Sequence, residues 1–275
     1  DSLCHTFTTM PTGGFSPKNA SIGHYDSVYL DLVITAFMFM AGVNFALHFH
    51  VLRGKPLALW RNPEFRFYLL FTLGVTLILT WWIYGDVYSN LGQALRYSVF
   101  QTVSIFTTTG YGTADYELWG GMAQVLLVIC MVIGGSAGST SGGVKCMRLI
   151  VLIKHVHREL MRLVHPRAVM PVKLGGKIVS DDVLNGIIGF FLLYLALAVI
   201  SIVLLAALGL DMLTSIGAVI ACISNIGPGL AQVGPTDNFG HLPDLAKWVL
   251  SFCMLLGRLE IYTVIILFFK EFWKS

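Results

Sequence analysis

The residues best suited to chemistry lie in a short Thr/Gly stretch. Residues 106–113 read Phe-Thr-Thr-Thr-Gly-Tyr-Gly-Thr and stand between an amphipathic run at 93–105 and a long apolar segment. Glycine has no Cβ and adopts backbone angles that turn successive carbonyls toward one axis. Carbonyl oxygens arranged in this way replace the hydration shell of a cation. A single Gly-x-Gly is also typical of an ordinary turn, so this stretch alone does not identify a function.

The same pattern occurs twice more in the chain. Residues 7–15 read Phe-Thr-Thr-Met-Pro-Thr-Gly-Gly-Phe, and residues 223–229 read Ile-Ser-Asn-Ile-Gly-Pro-Gly. We align Gly13, Gly110 and Gly227, because each follows hydroxyl or amide side chains and precedes a polar loop and a long apolar segment. Internal repeats of this kind build many transporter folds. We call these two stretches and the first one the three pore-loop segments, and predict that they line one ion pathway.

The composition indicates an integral membrane protein. Apolar residues make up 56% of the 275-residue chain and charged residues only 12%, against about 25% charged in a typical soluble domain, and the mean hydropathy is +0.75. The net charge of +3 is too small to indicate a nucleic-acid partner. The cysteines form no Cys-x-x-Cys pair, so we interpret them as small buried apolar residues without a disulfide or metal role. They are Cys4, Cys130, Cys146, Cys222 and Cys253.

Long apolar stretches predict the membrane-spanning helices, since about 20 apolar residues cross a hydrocarbon core. Two shorter apolar stretches are too short to span and fit re-entrant pore helices, which are tolerated where protein or water surrounds them. The predicted spans are 28–49, 67–84, 117–133 with a resumption at 144–155, 183–208 and 246–269, and the predicted pore helices are 95–106 and 212–224.

Positive charge sets the expected orientation. The loops at 50–66, 145–177 and 270–275 carry 14 of the 18 lysines and arginines, and such loops stay in the cytoplasm. Acidic residues cluster near the pore-loop segments, whose mouths we therefore expect to be external. Such a rim either concentrates cations or merely solvates the surface.

A Gly/Ser run, residues 134–143, interrupts the third span, and we call it the Gly/Ser loop. Each glycine costs roughly 1 kcal/mol against alanine in a helix, so the helix breaks here and is predicted to form a mobile obstruction near the pore-loop segments. Close helix packing through small residues is the alternative. The candidate gate residues are Gly134, Gly135, Ser136, Gly138, Gly142, Gly143 and, at the end of the run, Lys145.

The start of this loop also matches the Gly-x-Ser-x-Gly pattern of serine hydrolases at Ser136. That pattern requires a strand-to-helix turn on a sheet, which the helical context does not predict, so the enzyme interpretation is disfavoured. Arg258 is a second unusual residue, because a charge within an apolar span costs about 2.5–3.5 kcal/mol. It has either a pore role or an interhelical ion pair, and Glu260 is an improbable partner because positions i and i+2 point to different sides of a helix.

The pore-loop segments, the Gly/Ser loop with the Val-Lys pair at 144–145, and the Gly-Arg-Leu-Glu run at 257–260 together resemble the Trk/Ktr/HKT superfamily of potassium transporters, most closely its bacterial TrkH-type branch. The resemblance covers essentially the whole chain. It implies an all-α polytopic membrane protein of repeated helix–pore loop–helix units, potassium-channel-like, with four units around one pore. Three pore-loop segments are present, so we expect a C-terminal part that lacks the first pore unit.

The predicted units are 1–50 (pore loop and second helix of one unit), 51–157 (a complete unit with a broken inner helix), 158–181 (a basic cytoplasmic linker) and 182–275 (a complete last unit). Main-chain oxygens are the expected potassium ligands, because carbonyls bind a monovalent cation without a fixed charge that would trap it. The filter candidates are Thr12, Gly13, Thr109, Gly110, Tyr111, Ile226 and Gly227. The resemblance implies that the Gly/Ser loop is a gate and that Arg258 faces the pore as a barrier.

The function expected from the resemblance is potassium uptake by a multi-pass protein of the bacterial inner membrane, with potassium as the transported ligand and no cofactor. A sodium-conducting or sodium-coupled relative and a non-conducting truncated fragment remain open alternatives. Expected partners are lipid, a second copy in a homodimer, and a cytosolic nucleotide-binding regulatory ring of the TrkA type. A basic cluster is compatible with docking of this ring, with binding of a metal or of anionic lipid, or with simple solvation. Its residues are His155, His157, Arg158, Arg162, His165 and Arg167.

Overall fold

The computed structural model describes residues 1–168 and 170–274, and nearly all regular structure in them is helical. Two short strands, β1 (Lys173–Leu174) and β2 (Lys177–Ile178), pair antiparallel in a polar link. The helices are α1 (Ser2–Thr9), α2 (Val28–Ala41), α3 (Phe45–Leu52), α4 (Leu57–Arg61), α5 (Pro63–Ile83), α6 (Leu91–Phe106), α7 (Gly121–Ile133), α8 (Cys146–Val164), α9 (Asp181–Ala207), α10 (Met212–Ile223), α11 (Asp244–Arg258) and α12 (Tyr262–Ile265), with short 3₁₀ turns between them.

Two of the described helices, α5 and α9, are long and apolar enough to cross a membrane. The number rises to four if each of two bent helix pairs is counted as one span, and α7 and α10 are shorter apolar helices. The spans predicted at 67–84 and 183–208 correspond to α5 and α9. The span predicted at 117–133 begins later, because a 3₁₀ turn and Gly120, with φ of 81°, precede α7.

The span predicted at 28–49 is not one continuous helix. It consists of α2 and α3, which meet at residues 42–44 with a bend of 102°. Gly42 lies so close to the neighbouring helix that a Cβ there would lie 2.5 Å from the Tyr68 hydroxyl oxygen. Asn44 then caps α3 by accepting a hydrogen bond from the first turn of that helix at 2.8 Å. Hydropathy does not detect this bend, because the apolar run continues through it.

The span predicted at 246–269 is also wrong as a single helix. It bends by 110° between α11 and the helical segment Tyr262–Phe268. At the bend, Glu260 has a φ of 56°, a left-handed conformation that does not continue a right-handed helix. Arg258 is therefore the last residue of α11 and does not lie in the middle of a span.

Each pore-loop segment follows a helix that ends at it: α1, α6 or α10. The α6 helix packs against α2 and α5, and α10 packs against α9 and α11. The buried rings of Tyr68 and Phe106 stack with centroids 5.3 Å apart and fix the end of α6. The C-terminal end of a helix carries partial negative charge, so these ends favour a cation.

The helix after the Gly/Ser loop is longer than predicted. It begins at Cys146 and continues to Val164, past residue 157, at which the sequence places the end of the second unit. The link to α9 is correspondingly shorter and contains the β1–β2 hairpin. The basic residues of the predicted cluster therefore lie partly on α8 and partly in the link.

Candidate functional site

The same backbone turn follows α1, α6 and α10. In each turn one amide donates to the carbonyl three residues before it, and the next amide donates to the carbonyl five residues before it. The donors, with their N···O distances, are Thr12 and Gly13 (3.1 and 2.8 Å), Thr108 and Thr109 (3.0 and 2.9 Å), and Asn225 and Ile226 (3.1 and 2.9 Å). The three pore-loop segments are thus structural repeats as well as sequence repeats.

Backbone angles correct the register of the first segment. The first donor of each turn has a left-handed φ of 54–57°, and so does the glycine two residues later, at 66° in Gly14, 83° in Gly110 and 108° in Gly227. Gly14 therefore corresponds to Gly110 and Gly227, and the predicted alignment of Gly13 with them is wrong. Gly13 instead corresponds to Thr109 in the second segment and to Ile226 in the last one. An aromatic residue follows both Gly14 and Gly110, which is a sequence signal for this register, and the backbone conformation establishes it.

The segments contact one another in a fixed order. A Cβ at Gly14 would lie 1.8 Å from the carbonyl oxygen of Thr109, and a Cβ at Gly110 would lie 1.9 Å from that of Ile226. A Cβ at Gly227 would meet no other described residue within 4 Å. The backbone of each segment thus packs on the carbonyl of the next, and the series is open after the last segment. A cavity of about 560 Å³, lined by the first and last segments, occupies that open side.

Two buried tyrosine hydroxyls join neighbouring units around the segments. The Tyr111 hydroxyl lies 2.6 Å from the Oγ1 atom of Thr8, at the end of α1. The Tyr116 hydroxyl donates to the Gly229 carbonyl at 2.6 Å, and both tyrosines are 0% exposed. The positions of the three segments are therefore coupled through their surroundings as well as through direct contact.

The Gly/Ser loop touches all three segments. Thr12 Oγ1 donates to the Thr140 carbonyl at 2.9 Å, and the Gly142 amide donates to Thr108 Oγ1 at 2.7 Å. The last segment is equally close, because a Cβ at Gly142 would lie 2.1 Å from the Ser224 carbonyl oxygen. Of these loop residues, the sequence identified Gly142 but gave no signal for Thr140, which is one polar residue among several.

Arg258 reaches the same loop. Its Nη1 atom donates to the Thr140 carbonyl at 2.9 Å, so that this one carbonyl accepts from both a pore-loop segment and α11. Glu260 lies at the bend after α11 and pairs with Arg148 of α8. A cavity of about 320 Å³ lies against the loop and is lined by Lys145, Arg258 and Phe190 among others. Of the sequence-predicted gate residues, Gly142, Gly143, Lys145 and Arg258 line this cavity, whereas Gly134, Gly135, Ser136 and Gly138 lie outside its lining.

Neither a serine nucleophile site nor a metal site is assembled among the described residues. Ser136 is 1% exposed, and its Oγ has no hydrogen-bond partner in the part of the chain that the structure describes. The described residues contain no group of three or more His, Cys, Asp or Glu able to hold a metal ion. On α8, Arg158 instead forms ion pairs with Glu159 and Asp181.

Comparison with known proteins identifies the family of the chain. The family model of TrkH, described as a cation transport protein, matches residues 1–275. The chain belongs to the TrkH family. It is 42% identical to the Trk system potassium uptake protein TrkH of Halomonas elongata and 40% identical to that of Escherichia coli K12, covering 100% of this chain and 57% of each relative. The crystal structure of the potassium transporter TrkH from Vibrio parahaemolyticus matches with a TM-score of 0.93 at 39% identity, over 99% of this chain and 59% of that one.

Family membership confirms the predicted resemblance, the all-α helix–pore loop–helix fold and a multi-pass membrane location. It also excludes the hydrolase interpretation, because the family members are transporters and not enzymes. The chain spans less than two thirds of the length of these relatives.

Proposed function

We propose that this chain takes part in potassium uptake through a filter of backbone carbonyls. The contact order of the three pore-loop segments is the observation that carries the proposal, because it brings equivalent carbonyls of separate units together. Oxygen ligands of this kind suit a monovalent cation. The proposed ligands are the carbonyl oxygens of Thr12, Gly13, Gly14, Thr109, Gly110, Tyr111, Ile226 and Gly227, with Gly14 added on the corrected register.

The Gly/Ser loop and Arg258 form the proposed gate. The loop contacts every pore-loop segment, and the guanidinium of Arg258 holds the carbonyl of Thr140. A fixed positive charge beside the pathway repels cations, so both the loop and the arginine must move for an ion to pass. The proposed role of Lys145, which lines the cavity next to the loop, is to tether the loop on the cytoplasmic side.

The proposed partners follow from the family. The relatives are named as parts of a Trk system, and we propose that this chain assembles with a second copy and with a cytosolic regulatory ring of the TrkA type. The basic residues of α8 and of the following link are the proposed docking surface for that ring.

Uptake of rubidium and sodium into proteoliposomes tests the filter. The chain is compared with a version joined to the upstream region of the Vibrio parahaemolyticus relative, each with and without Gly110→Ser. We expect the extended version to take up rubidium in preference to sodium and Gly110→Ser to admit sodium. Gly74→Ser is the matched control, because Gly74 lies in α5 with open space around its α-carbon.

If folded protein of both versions moves neither ion, or if Gly74→Ser changes selectivity as much as Gly110→Ser, the filter proposal fails. Arg258→Gln tests the gate separately. We expect faster rubidium uptake with unchanged preference over sodium, because the variant removes a positive charge and leaves the carbonyls in place.

A further inference from the structure

Glu64 is a buried carboxylate far from the pore-loop segments in sequence. It lies in the first turn of α5 and is 6% exposed. Its Oε1 atom accepts two backbone hydrogen bonds, from the amide of Ala137 at 2.7 Å and from the amide of Met147 at 3.1 Å. None of the ion pairs within the described residues involves Glu64. The hydrogen bonds that this carboxylate accepts therefore come from backbone amides of a single segment, residues 137–147.

The two donors stand at opposite ends of the Gly/Ser loop. Ala137 lies near its beginning, and Met147 is the second residue of α8, which starts just after the loop. The first amides of a helix have no acceptor within their own helix, so Glu64 satisfies one that would otherwise be unpaired. A single oxygen atom thus holds the entry and the exit of the loop together.

Backbone contacts close the base of the loop at the same place. The Lys145 amide donates to the Ile133 carbonyl at 2.6 Å, and the Cys146 amide donates to the Gly135 carbonyl at 3.0 Å. The loop is therefore an Ω-shaped excursion with a narrow base. Glu64 is the side chain that locks this base, whereas the residues at the far end contact the pore-loop segments.

The bonds at the base and at the far end differ in character. Hydrogen bonds to an ionised carboxylate are about twice as strong as bonds between neutral groups, and the carboxylate also lies at the positive ends of α5 and α8. At the far end, Thr12 and Thr108 bond to the loop as neutral groups, and the guanidinium of Arg258 donates one hydrogen bond to the Thr140 carbonyl. The base is thus held by one buried carboxylate that joins two amides, whereas the far end is held by separate side chains of the pore-loop segments and of α11.

We propose that Glu64 is a positioning residue that pins both ends of the Gly/Ser loop and thereby keeps the loop against the pore-loop segments. The inference rests on the proposed function of the loop as a gate. It assigns to α5 a control over the gate that does not involve contact with the ion.

Hydrogen exchange of the protein in nanodiscs tests directly whether Glu64 anchors the Gly/Ser loop. In Glu64→Gln the carboxylate charge is lost, and we expect amides of residues 134–147 to exchange about tenfold faster, equivalent to about 1.4 kcal/mol. Glu64→Asp keeps the charge but shortens the side chain, so an intermediate increase is expected. Glu117→Gln is the matched control, because Glu117 also accepts a backbone hydrogen bond, from Ala231, but does not touch the loop.

The proposal that Glu64 anchors the loop is refuted if exchange at residues 134–147 is unchanged in both Glu64 variants. It is also refuted if the Glu117 control increases exchange there by the same factor. If Glu64→Gln loses exchange protection throughout the protein, the milder Glu64→Asp decides the question.

Rubidium uptake by the extended protein, measured in parallel, separates the anchor from the gate. We expect Glu64→Gln to raise uptake several-fold, a gain that general misfolding does not produce. Faster exchange without a change in uptake supports Glu64 as the anchor of the loop and refutes the gating role of the loop. Unchanged exchange refutes the anchor whatever the uptake.

Discussion

Replacement of two adjacent glycines by alanine gives the sharpest test of the filter geometry. Gly14 has a φ of +66°, and a Cβ there would lie 1.8 Å from the Thr109 carbonyl oxygen. The nearest neighbours of a Cβ at Gly13 would be the Phe15 ring at 3.4 Å and the Thr8 carbonyl oxygen at 3.6 Å, which are ordinary contacts. The two substitutions are chemically identical and one residue apart, yet the structure predicts opposite outcomes.

The magnitude follows from two terms. A side chain in the left-handed region costs roughly 1–2 kcal/mol, and Gly14→Ala incurs this cost while Gly13→Ala does not. A close carbon–oxygen contact is about 3.3 Å, so the new methyl at Gly14 must move the Thr109 carbonyl by about 1.5 Å, the difference between 3.3 and 1.8 Å. A displacement of that size removes a proposed ligand from the pathway. We therefore expect Gly14→Ala to lower stability and abolish selective rubidium uptake.

Thermal unfolding in detergent and rubidium uptake in competition with sodium are the assays. Gly13→Ala should retain selectivity and unfold at the same temperature as the parent or slightly above it, because alanine restricts the unfolded chain and adds no strain at this position. Gly227→Ala should incur the backbone cost alone, since no atom of the described residues apart from its immediate neighbours lies within 4 Å of its Cβ position. The reasoning is refuted if Gly13→Ala is as damaging as Gly14→Ala, because the register would then be one residue away from the one described here.

Three further results are expected. Tyr116→Phe removes the hydrogen bond to the Gly229 carbonyl and should lower the free energy of unfolding by about 1 kcal/mol and weaken rubidium preference; an unchanged preference would show that this contact does not position the last segment. Arg96→Gln leaves the buried carboxylate of Asp31, which lies 2.7 Å from the arginine Nε, without its cation. Thermal unfolding should show a loss of stability of about 3 kcal/mol, and the additional change Asp31→Asn should restore part of this loss. Hydrogen bonds with Thr214, in the first turn of α10, lower the pKa of Asp211 below its ordinary value of 3.8. Its contribution to stability is therefore present above that pH and is lost as the pH falls through the lower folded-state pKa, and Asp211→Asn should remove this acid-sensitive part of the unfolding curve.

The sequence predicts those parts of the fold and of the candidate site that composition or repetition determines. The apolar runs of α5 and α9 and the break at the Gly/Ser loop follow from hydropathy and glycine content, because long apolar runs and helix-breaking residues act locally. Repetition likewise reveals the pore-loop segments, since each copy occurs in the same context.

Features that depend on neighbouring elements are not visible in the sequence. The bends after α2 and α11 lie within apolar runs, and hydropathy does not register a change of direction. Apart from the aromatic residue that follows Gly14, the distinction between Gly13 and Gly14 depends on which α-carbon meets the carbonyl of the next segment. Glu64 resembles an ordinary charge at a helix start, and only the folded chain brings it to both ends of the Gly/Ser loop.

The contact between Thr108 and Gly142 has a thermodynamic consequence. The hydroxyl oxygen of Thr108 accepts the Gly142 amide at 2.7 Å, and a lone pair engaged in this way is not available to a dehydrated cation. The carbonyl of Thr109, a proposed ligand, belongs to the next residue, so one short stretch of backbone contacts both the loop and the proposed ion pathway. Coupling through a shared element is reciprocal. A movement of the loop that displaces Thr108 therefore changes the affinity of the filter for its ion, and binding of the ion changes the affinity of the filter for the loop by the same factor.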